Sequence, residues 1–224
     1  MSAAPVIAID GPSASGKGTV AQLVAQALGF HYLDSGALYR LVALAALRSG
    51  VTLDDERRIA SIAGSLDAGF EAGEVWLAGE PVTEAIRDET CSNGASSVAA
   101  CPGVRSALLG RQRAFRRAPG LVAEGRDMGS VVFPDSTLKV FLTAAPEARA
   151  ERRYKQLKGK GIAATLCVLL QDLRERDTRD AVRRVAPLKQ CPDARLLDTT
   201  AMSAAEAAER ILAWYRGHGD KNAS

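Results

Sequence analysis

The nine-residue stretch Gly11–Thr19, with the sequence GPSASGKGT, constrains the fold of this chain more than any other segment. It follows the apolar run Pro5–Ile9 and precedes a helical pattern with apolar residues at positions 20, 23, 24, 27 and 28. Glycines in the spacing Gly-x-x-x-x-Gly-Lys let backbone N–H groups converge on one anion, and the start of a helix adds positive potential. The loop and its flanking elements therefore predict a phosphate-binding P-loop rather than a chance glycine turn.

Position 18 departs from the commonest form of this loop. Most P-loops carry Ser or Thr after the lysine, where the hydroxyl binds Mg²⁺. Here Gly18 follows Lys17, which moves the nearest hydroxyl to Thr19. This ending is typical of small-molecule kinases that act on nucleotides. We expect every residue of the loop to contact the donor nucleotide, ATP: Gly11, Pro12, Ser13, Ala14, Ser15, Gly16, Lys17, Gly18 and Thr19.

Composition excludes several classes of protein. With 224 residues, 47% of them hydrophobic, the chain can bury the core of one α/β domain. The net charge of +3 is too small to indicate a nucleic-acid or membrane partner. The four cysteines contain no C-x-x-C pair, which favours reduced thiols. The N-terminus has no basic region typical of a signal peptide, and no run approaches the roughly 20 apolar residues of a membrane span. We expect a soluble, cytoplasmic protein.

The order of apolar runs predicts the fold class. Strand and helix patterns alternate, which favours a parallel sheet covered on both faces. After the first strand, buried strands are expected at 30–33, 121–123, 138–142 and 195–197, which makes about five. The segment Phe70–Leu77 breaks the alternation and predicts a hairpin around Ala72 and Gly73. We therefore expect a three-layer α/β P-loop fold with an inserted antiparallel flap. A capping box, Ser203 with Glu206, predicts the start of the last helix.

Two polar junctions follow predicted strands, where open α/β sheets bind ligands. At the first, Ser35 and Arg40 could reach an anion beside the P-loop, or could be a helix cap and a surface arginine. At the second, Glu124 ends a buried strand, which is where water-mediated contact with Mg²⁺ is expected. The alternative at this junction is an ion pair between Arg126 and Asp127 that caps the strand.

One predicted helix changes character along its length. Its apolar stripe follows i, i+3, i+4, i+7 spacing from Leu166 to Leu173, and the same stripe continues with charged residues from Arg176 to Arg183. A helix whose inward face becomes arginine-rich has to meet anions or leave the core, so we expect a short helical lid that contacts phosphates. The alternative is a solvated helix whose Arg and Asp neighbours pair with one another.

A second basic segment, Arg111–Arg117, has four arginines that do not share one helical face, and most are expected to be solvated. Aromatic residues are nearly absent from it, which argues against nucleic-acid binding.

Six segments together resemble the bacterial cytidylate (CMP/dCMP) kinase family of nucleoside monophosphate kinases, and they cover most of the chain. They are residues 11–19, 33–40, 97–113, 124–134, 174–188 and 197–200. The resemblance implies one kinase domain over residues 1–224. Within it, a segment at about 35–105 would bind the monophosphate and contain the flap at about 66–82, and the lid would span about 157–185.

The resemblance also implies roles for individual residues. Those that would handle CMP and its phosphate are Ser35, Tyr39, Arg40, Arg126 and Arg183. Those that would recognise cytosine are Ser96, Arg105 and Asp127, while Arg176 and Asp180 would meet the sugar. The chemistry agrees, because cytosine offers an amine donor to a carboxylate and ring acceptors to Arg or Ser.

The expected reaction is in-line transfer of the γ-phosphoryl group of ATP to CMP or dCMP. Cationic groups stabilise such transfers, and the predicted set is Lys17, Arg126, Arg176, Arg179 and Arg183. Mg²⁺ is expected as a cofactor, held through water by Thr19, Asp34 and Glu124. We expect a monomer.

Two alternatives stay open at this point. A P-loop kinase of another metabolite, such as a different nucleoside monophosphate, dephospho-coenzyme A or shikimate, would share the core. A GTP-binding switch is disfavoured, because the chain lacks an Asn-Lys-x-Asp motif and a Ser or Thr at position 18.

Overall fold

The computed structural model of the protein describes residues 3–71 and 73–219. They form two compact units: residues 34–114 make the inserted unit, and the chain before and after that segment makes the sheet unit. No helix among these residues combines the length and apolarity that crossing a bilayer requires.

Eight strands are described: β1 (Val6–Asp10), β2 (His31–Asp34), β3 (Ala68–Glu71), β4 (Glu74–Leu77), β5 (Glu80–Pro81), β6 (Leu121–Gly125), β7 (Leu138–Thr143) and β8 (Arg195–Asp198). The described α-helices are α1 (Lys17–Leu28), α2 (Ser35–Arg48), α3 (Glu56–Gly64), α4 (Glu89–Val98), α5 (Pro102–Arg113), α6 (Pro146–Gly159), α7 (Leu166–Val182) and α8 (Ala204–Gly219). A 3₁₀ turn at Ala85–Arg87 and one turn of π-helix at Met128–Val132 complete the list.

The sheet unit is built around a five-stranded sheet of order β2-β6-β1-β7-β8. β1 lies at its centre and pairs in parallel with β6 and β7, so that Ile7 faces Val122 on one side and Leu138 on the other. β7 pairs in parallel with β8. All five residues of β1 are buried, which is why its sequence is almost continuously apolar. The predicted α/β fold with about five strands is confirmed.

The strands of the sheet differ from their predicted ranges by one or two residues at an end, and the shift of β2 has a clear local cause. β2 begins at His31 rather than Phe30, because α1 ends at Gly29 in a left-handed conformation (φ 63°) and the N–H of Phe30 donates to the carbonyl of Ala25. Phe30 therefore belongs to the helix cap. The predicted capping box of α8 is confirmed, since the N–H of Ser203 donates to the Glu206 carboxylate and the N–H of Glu206 donates to the Ser203 hydroxyl.

The inserted unit contains the predicted flap. β3 and β4 pair antiparallel, with Gly69 opposite Trp76, and β5 adds a short third strand. Of the two predicted turn residues, Gly73 has a positive φ of 85°, and Ala72 lies outside the described residues. Arg111 on α5 donates to the carbonyls of Leu66 and Ala68, so this arginine fastens the start of the flap to a helix.

Candidate active site

The P-loop follows β1 and turns sharply into α1. A side chain at Gly11 would place its Cβ 2.0 Å from the carbonyl oxygen of Leu142, so the close approach of two backbones demands glycine there. Gly16 caps α1 in a left-handed conformation (φ 90°). The Ser15 hydroxyl and Lys17 Nζ both donate to the carbonyl of Pro12, at 2.9 and 3.1 Å. The loop is thus held in shape by its own side chains.

Two arginines on α6 hold the loop from outside. Arg149 donates to the carbonyl of Ser13 and Arg152 to the carbonyl of Ser15, each at 3.1 Å. Bonds that tie these carbonyls to guanidinium groups keep them from facing a bound anion. Sequence reasoning missed both residues. The available signal was the i, i+3 spacing of arginines on the helix that follows β7, at the carboxyl edge of the sheet.

Arg126 connects the loop with α7, the predicted lid helix. Its Nε donates to Asp180 Oδ2 and its Nη2 to the Ser13 hydroxyl, both at 2.7 Å. Burial acts to raise the pKa of the Asp180 carboxyl, but the guanidinium of Arg126, aided by Arg176 and Arg183, outweighs it and lowers that pKa. A charged pair therefore joins β6, the loop and α7.

A second pair joins the same helix to α6. Both terminal nitrogens of Arg149, a residue only 3% exposed, bond the carboxylate of Asp177 at 3.0 and 2.5 Å. Asp177 and Asp180 lie three residues apart and so share one face of α7. The predicted charged stripe thus contains two carboxylates whose guanidinium partners come from other elements. The apolar part is narrower than predicted, because Leu169 and Leu173 are buried whereas Leu166 is 43% exposed.

The arginines predicted on the lid differ in burial. Arg176 and Arg183 are half-buried, and Arg179 is exposed. Arg183 Nη2 lies 3.9 Å from Oδ1 of Asp127, which is itself buried. The structure therefore brings together five of the predicted residues in the sheet unit: Ser13, Arg126, Asp127, Asp180 and Arg183.

Asp10 is a buried carboxylate that sequence reasoning did not assign. It ends β1 and accepts hydrogen bonds from the N–H groups of Met128 and Gly129, each at 2.8 Å. Burial raises the pKa of the Asp10 carboxyl to about 6, and the two backbone bonds oppose that shift only in part. Asp10 thus fixes the turn that carries Asp127.

Glu124 is the last but one residue of β6 and lies beside the first turn of α1. Its Oε1 accepts a 2.7 Å hydrogen bond from the hydroxyl of Tyr32, and its Oε2 lies 3.9 Å from Lys17 Nζ. A Cβ added at Gly18 would lie 2.8 Å from Glu124 Oε1. Thr19, by contrast, is exposed on the helix.

The inserted unit carries the other predicted residues. Asp34 caps α2 by accepting from the N–H of Ala37 at 3.0 Å, and it also pairs with Arg40 at 2.5 Å. Ser35 is buried at the start of the same helix. One turn later, Tyr39 lies beneath the guanidinium of Arg105, whose carbon is 5.6 Å from the ring centre.

Ser96 and Arg105 lie on neighbouring helices of the inserted unit. Arg105 is buried and donates to the carbonyl of Ala99 at 3.2 Å. Among the described residues, the buried hydroxyl of Ser96 and the buried Nε of Arg40 make no hydrogen bond. Buried polar atoms of this kind are rare in folded proteins, so these two mark positions where a ligand could complete the bonding.

The residues near α1 also fit a hard cation. Among the residues that the structure describes, no group of three or more His, Cys, Asp or Glu could hold a metal alone. Mg²⁺ in phosphoryl-transfer enzymes uses one or two carboxylates together with water and substrate phosphates. Glu124, an oxygen donor beside the open backbone of Gly18, suits that donor set.

The class of protein follows from these features. A P-loop after the central strand of a parallel sheet, held by arginines of α6 and by Arg126 after β6, defines a P-loop nucleotide-binding protein. A model of the cytidylate kinase family matches residues 7–217. The chain belongs to the cytidylate kinase family, which confirms the resemblance predicted from the six segments.

Individual relatives agree. The chain is 59% identical over 211 residues to the cytidylate kinase of Chromobacterium violaceum and 56% identical over 211 residues to that of Nitrosomonas europaea. Each comparison covers 94% of this chain and 95% of the relative. The fold also resembles the solved structure of an uncharacterized protein from Eubacterium ventriosum, with a TM-score of 0.51 and 12% identity, over 95% of this chain and 98% of that one. Family membership makes the chain an ATP-dependent phosphotransferase.

Proposed function

We propose that this protein transfers the γ-phosphoryl group of ATP to CMP or dCMP, which yields ADP and CDP or dCDP. The family match over residues 7–217 carries this proposal. It favours these acceptors over another nucleoside monophosphate, dephospho-coenzyme A or shikimate, since the two relatives named above are cytidylate kinases.

The P-loop would hold the donor. Its backbone N–H groups and the start of α1 would face the phosphates of ATP, and Lys17 would exchange the Pro12 carbonyl for the terminal phosphates. In the reaction a bond forms between an oxygen of the acceptor phosphate and the γ-phosphorus as the bond to the β-phosphate oxygen breaks. The acceptor is already an anion, so no general base is required.

Arginines would neutralise the charge that spreads over the transferred group. We assign this role to Arg126, Arg176, Arg179 and Arg183, together with Arg40. In the structure Arg126 is bonded to Asp180 and to Ser13, so it is already aligned beside the loop. Because these bonds restrain its side chain before ATP binds, less conformational freedom is lost in the transition state.

The acceptor would be recognised by Ser35, Tyr39 and Arg40 at its phosphate, and by Ser96, Arg105 and Asp127 at its base. The buried hydroxyl of Ser96, which makes no hydrogen bond, supports this assignment, because a ring acceptor of cytosine would accept a hydrogen bond from it. Arg176 and Asp180 are assigned to the sugar.

Mg²⁺ would be held through water by Glu124, Thr19 and Asp34, and it would supply positive charge to the donor phosphates. We further propose a single kinase domain with the segment limits given above, a monomeric state, a cytoplasmic location and no nucleic-acid partner.

The test is ADP release with a panel of acceptors: CMP, dCMP, UMP, AMP, dephospho-coenzyme A and shikimate. We expect the highest kcat/KM with CMP or dCMP. Faster turnover with any of the other four would overturn the proposal. Binding measurements with GTP and CMP test the alternative of a GTP-binding switch, since a switch would bind GTP tightly and would not bind CMP.

A further inference from the structure

Gly18 and the Glu124 carboxylate compete for one space. A Cβ at position 18 would come within 2.8 Å of Glu124 Oε1 and 3.7 Å of its carboxyl carbon. Any larger residue, including the Ser or Thr that most P-loops carry there, would push the carboxylate away. Glycine at position 18 is therefore explained by the Glu124 carboxylate, which occupies the space where other P-loops place a hydroxyl.

Tyr32 decides which way this carboxylate points. It lies on β2, which neighbours β6 in the sheet, and its hydroxyl donates to Oε1, the oxygen that faces Gly18. Hydrogen bonds to ionised acceptors are short and strong, and this one measures 2.7 Å. The side chain of Glu124 is only 8% exposed, so water does little to hold it in place.

The second oxygen faces the P-loop lysine. Oε2 of Glu124 lies 3.9 Å from Lys17 Nζ. When Lys17 turns to the phosphates of a bound nucleotide, Oε1 still has Tyr32 as its partner. A fixed negative charge then remains at the start of α1, beside the triphosphate.

Such a charge discriminates between two forms of the donor. It repels a metal-free triphosphate, because like charges brought together in a partly buried site are strongly unfavourable. It attracts the magnesium complex, whose hydrated cation offers donors to a carboxylate. A neutral hydroxyl at position 18 would lack the repulsive half of this effect.

We propose that Tyr32 is a positioning residue: it seats Glu124 in the space that Gly18 leaves open, and the seated carboxylate selects magnesium-complexed ATP over free ATP. The inference deepens the proposed function and rests on it, because it requires the donor to occupy the P-loop.

The experiment measures ATP binding by calorimetry without any acceptor, once with excess Mg²⁺ and once with EDTA. The quantity of interest is the ratio of the two dissociation constants. We expect wild type to prefer the magnesium complex by about tenfold or more. Glu124→Gln should bring the ratio close to one. Tyr32→Phe, which releases the carboxylate without removing it, should lower the ratio by about threefold to tenfold. Gly18→Ala should act in the same direction.

A double-mutant cycle separates positioning from a general structural role. If Tyr32 acts through Glu124, Tyr32→Phe should leave the ratio unchanged in the Glu124→Gln background. Tyr215→Phe is the matched control, since it removes a hydroxyl from α8, where the ring packs against Phe30, and it should not change the ratio. Circular dichroism melts verify that each variant is folded.

An equal effect of Tyr32→Phe in both backgrounds would overturn the positioning role. A wild-type ratio near one, or an unchanged ratio in Glu124→Gln, would overturn the selection of the magnesium complex. Neither result bears on the acceptor panel, so failure of this inference with intact CMP turnover is distinct from failure of the proposed function.

Discussion

In the sheet unit, the guanidinium groups of half-buried Arg126 and buried Arg149 bond the carboxylates of Asp180 and Asp177 and the P-loop residue Ser13. In the inserted unit, several buried polar atoms of the described residues make no hydrogen bond: Arg40 Nε, Trp76 Nε1, Ser96 Oγ and Gln112 Oε1. The bonds of Arg126 and Arg149 therefore hold the P-loop and α7 in place without a ligand. The open bonds of the inserted unit are what a site completed by its ligand requires.

The largest expected effect tests whether the lysine and arginine side chains of the sheet unit stabilise the transition state. Lys17→Ala and Arg183→Ala should each lower kcat by about 10³-fold or more, because each removes a cationic side chain that stabilises the negative charge of the transferred phosphoryl group. Steady-state ADP release measures this, with a thermal melt to show that the variants are folded. Arg184→Ala removes an exposed neighbouring arginine and should keep wild-type kcat. Retained activity in folded Arg183→Ala would remove that residue from the mechanism.

The next effect is on the free energy of unfolding and compares two ion pairs between α6 and α7. Arg149→Ala removes a buried guanidinium and leaves the half-buried Asp177 carboxylate and the Ser13 carbonyl without this partner, which should cost about 3–5 kcal/mol of unfolding free energy. Arg174→Ala breaks an exposed pair with Glu147 between the same helices, and should cost below about 1 kcal/mol. Urea unfolding measures both. Equal costs would contradict the view that the loop is organised through the buried pair.

Asp10 is the exception within the sheet unit, because its burial disfavours its charge. Since its folded pKa is raised to about 6 from 3.8, its contribution to stability is fully present below pH 3.8 and is lost as the pH rises through 6. The difference amounts to about 3 kcal/mol. Unfolding free energies between pH 4 and 7 should show this decline, and Asp10→Asn should remove it.

Asp193→Asn provides a control of opposite sign. The hydrogen bond from Lys139 lowers the pKa of the Asp193 carboxyl, so its contribution is lost as the pH falls. The same decline in Asp10→Asn as in wild type would show that another group titrates.

The smallest expected effect concerns the inserted unit and tests whether one of its open hydrogen bonds serves the ligand. Ser96→Ala removes a hydroxyl that has no partner in the structure, so stability should not fall, while kcat/KM for CMP should drop about tenfold. Ser97→Ala, next to it on α4, removes an exposed hydroxyl and should change neither quantity. A loss of stability in Ser96→Ala without a change in kcat/KM would show that the hydroxyl serves the fold and not the ligand.

Much of the fold was predictable because its causes are local. The apolar run before Gly11, the glycine spacing of the loop and the capping box at Ser203 each act within a few residues, and the elements formed within one or two residues of the predicted positions. The strand β2 shifted by one residue, because the left-handed cap at Gly29 draws Phe30 into the end of α1.

The candidate site was predictable only in part. The P-loop and Glu124 follow from motif and strand end, and their roles stay predictions. Arg149, Arg152 and Tyr32 were missed, because their partners lie far away in sequence: Tyr32 meets Glu124 across 92 positions, and Arg152 meets Ser15 across 137. The local sequence around either partner does not predict such a contact.

By itself, the sequence determined that this chain forms a P-loop between a buried strand and a helix, within a parallel α/β sheet, and it determined the family. Only the tertiary structure decided which charges pair, because pairing depends on strand order and on where α7 packs. The sheet order puts β2 beside β6 and so brings Tyr32 to Glu124, while the packing of α7 brings Asp177 and Asp180 to arginines from other elements. Periodicity along a chain specifies which face of an element is buried, but it does not specify which other element covers that face.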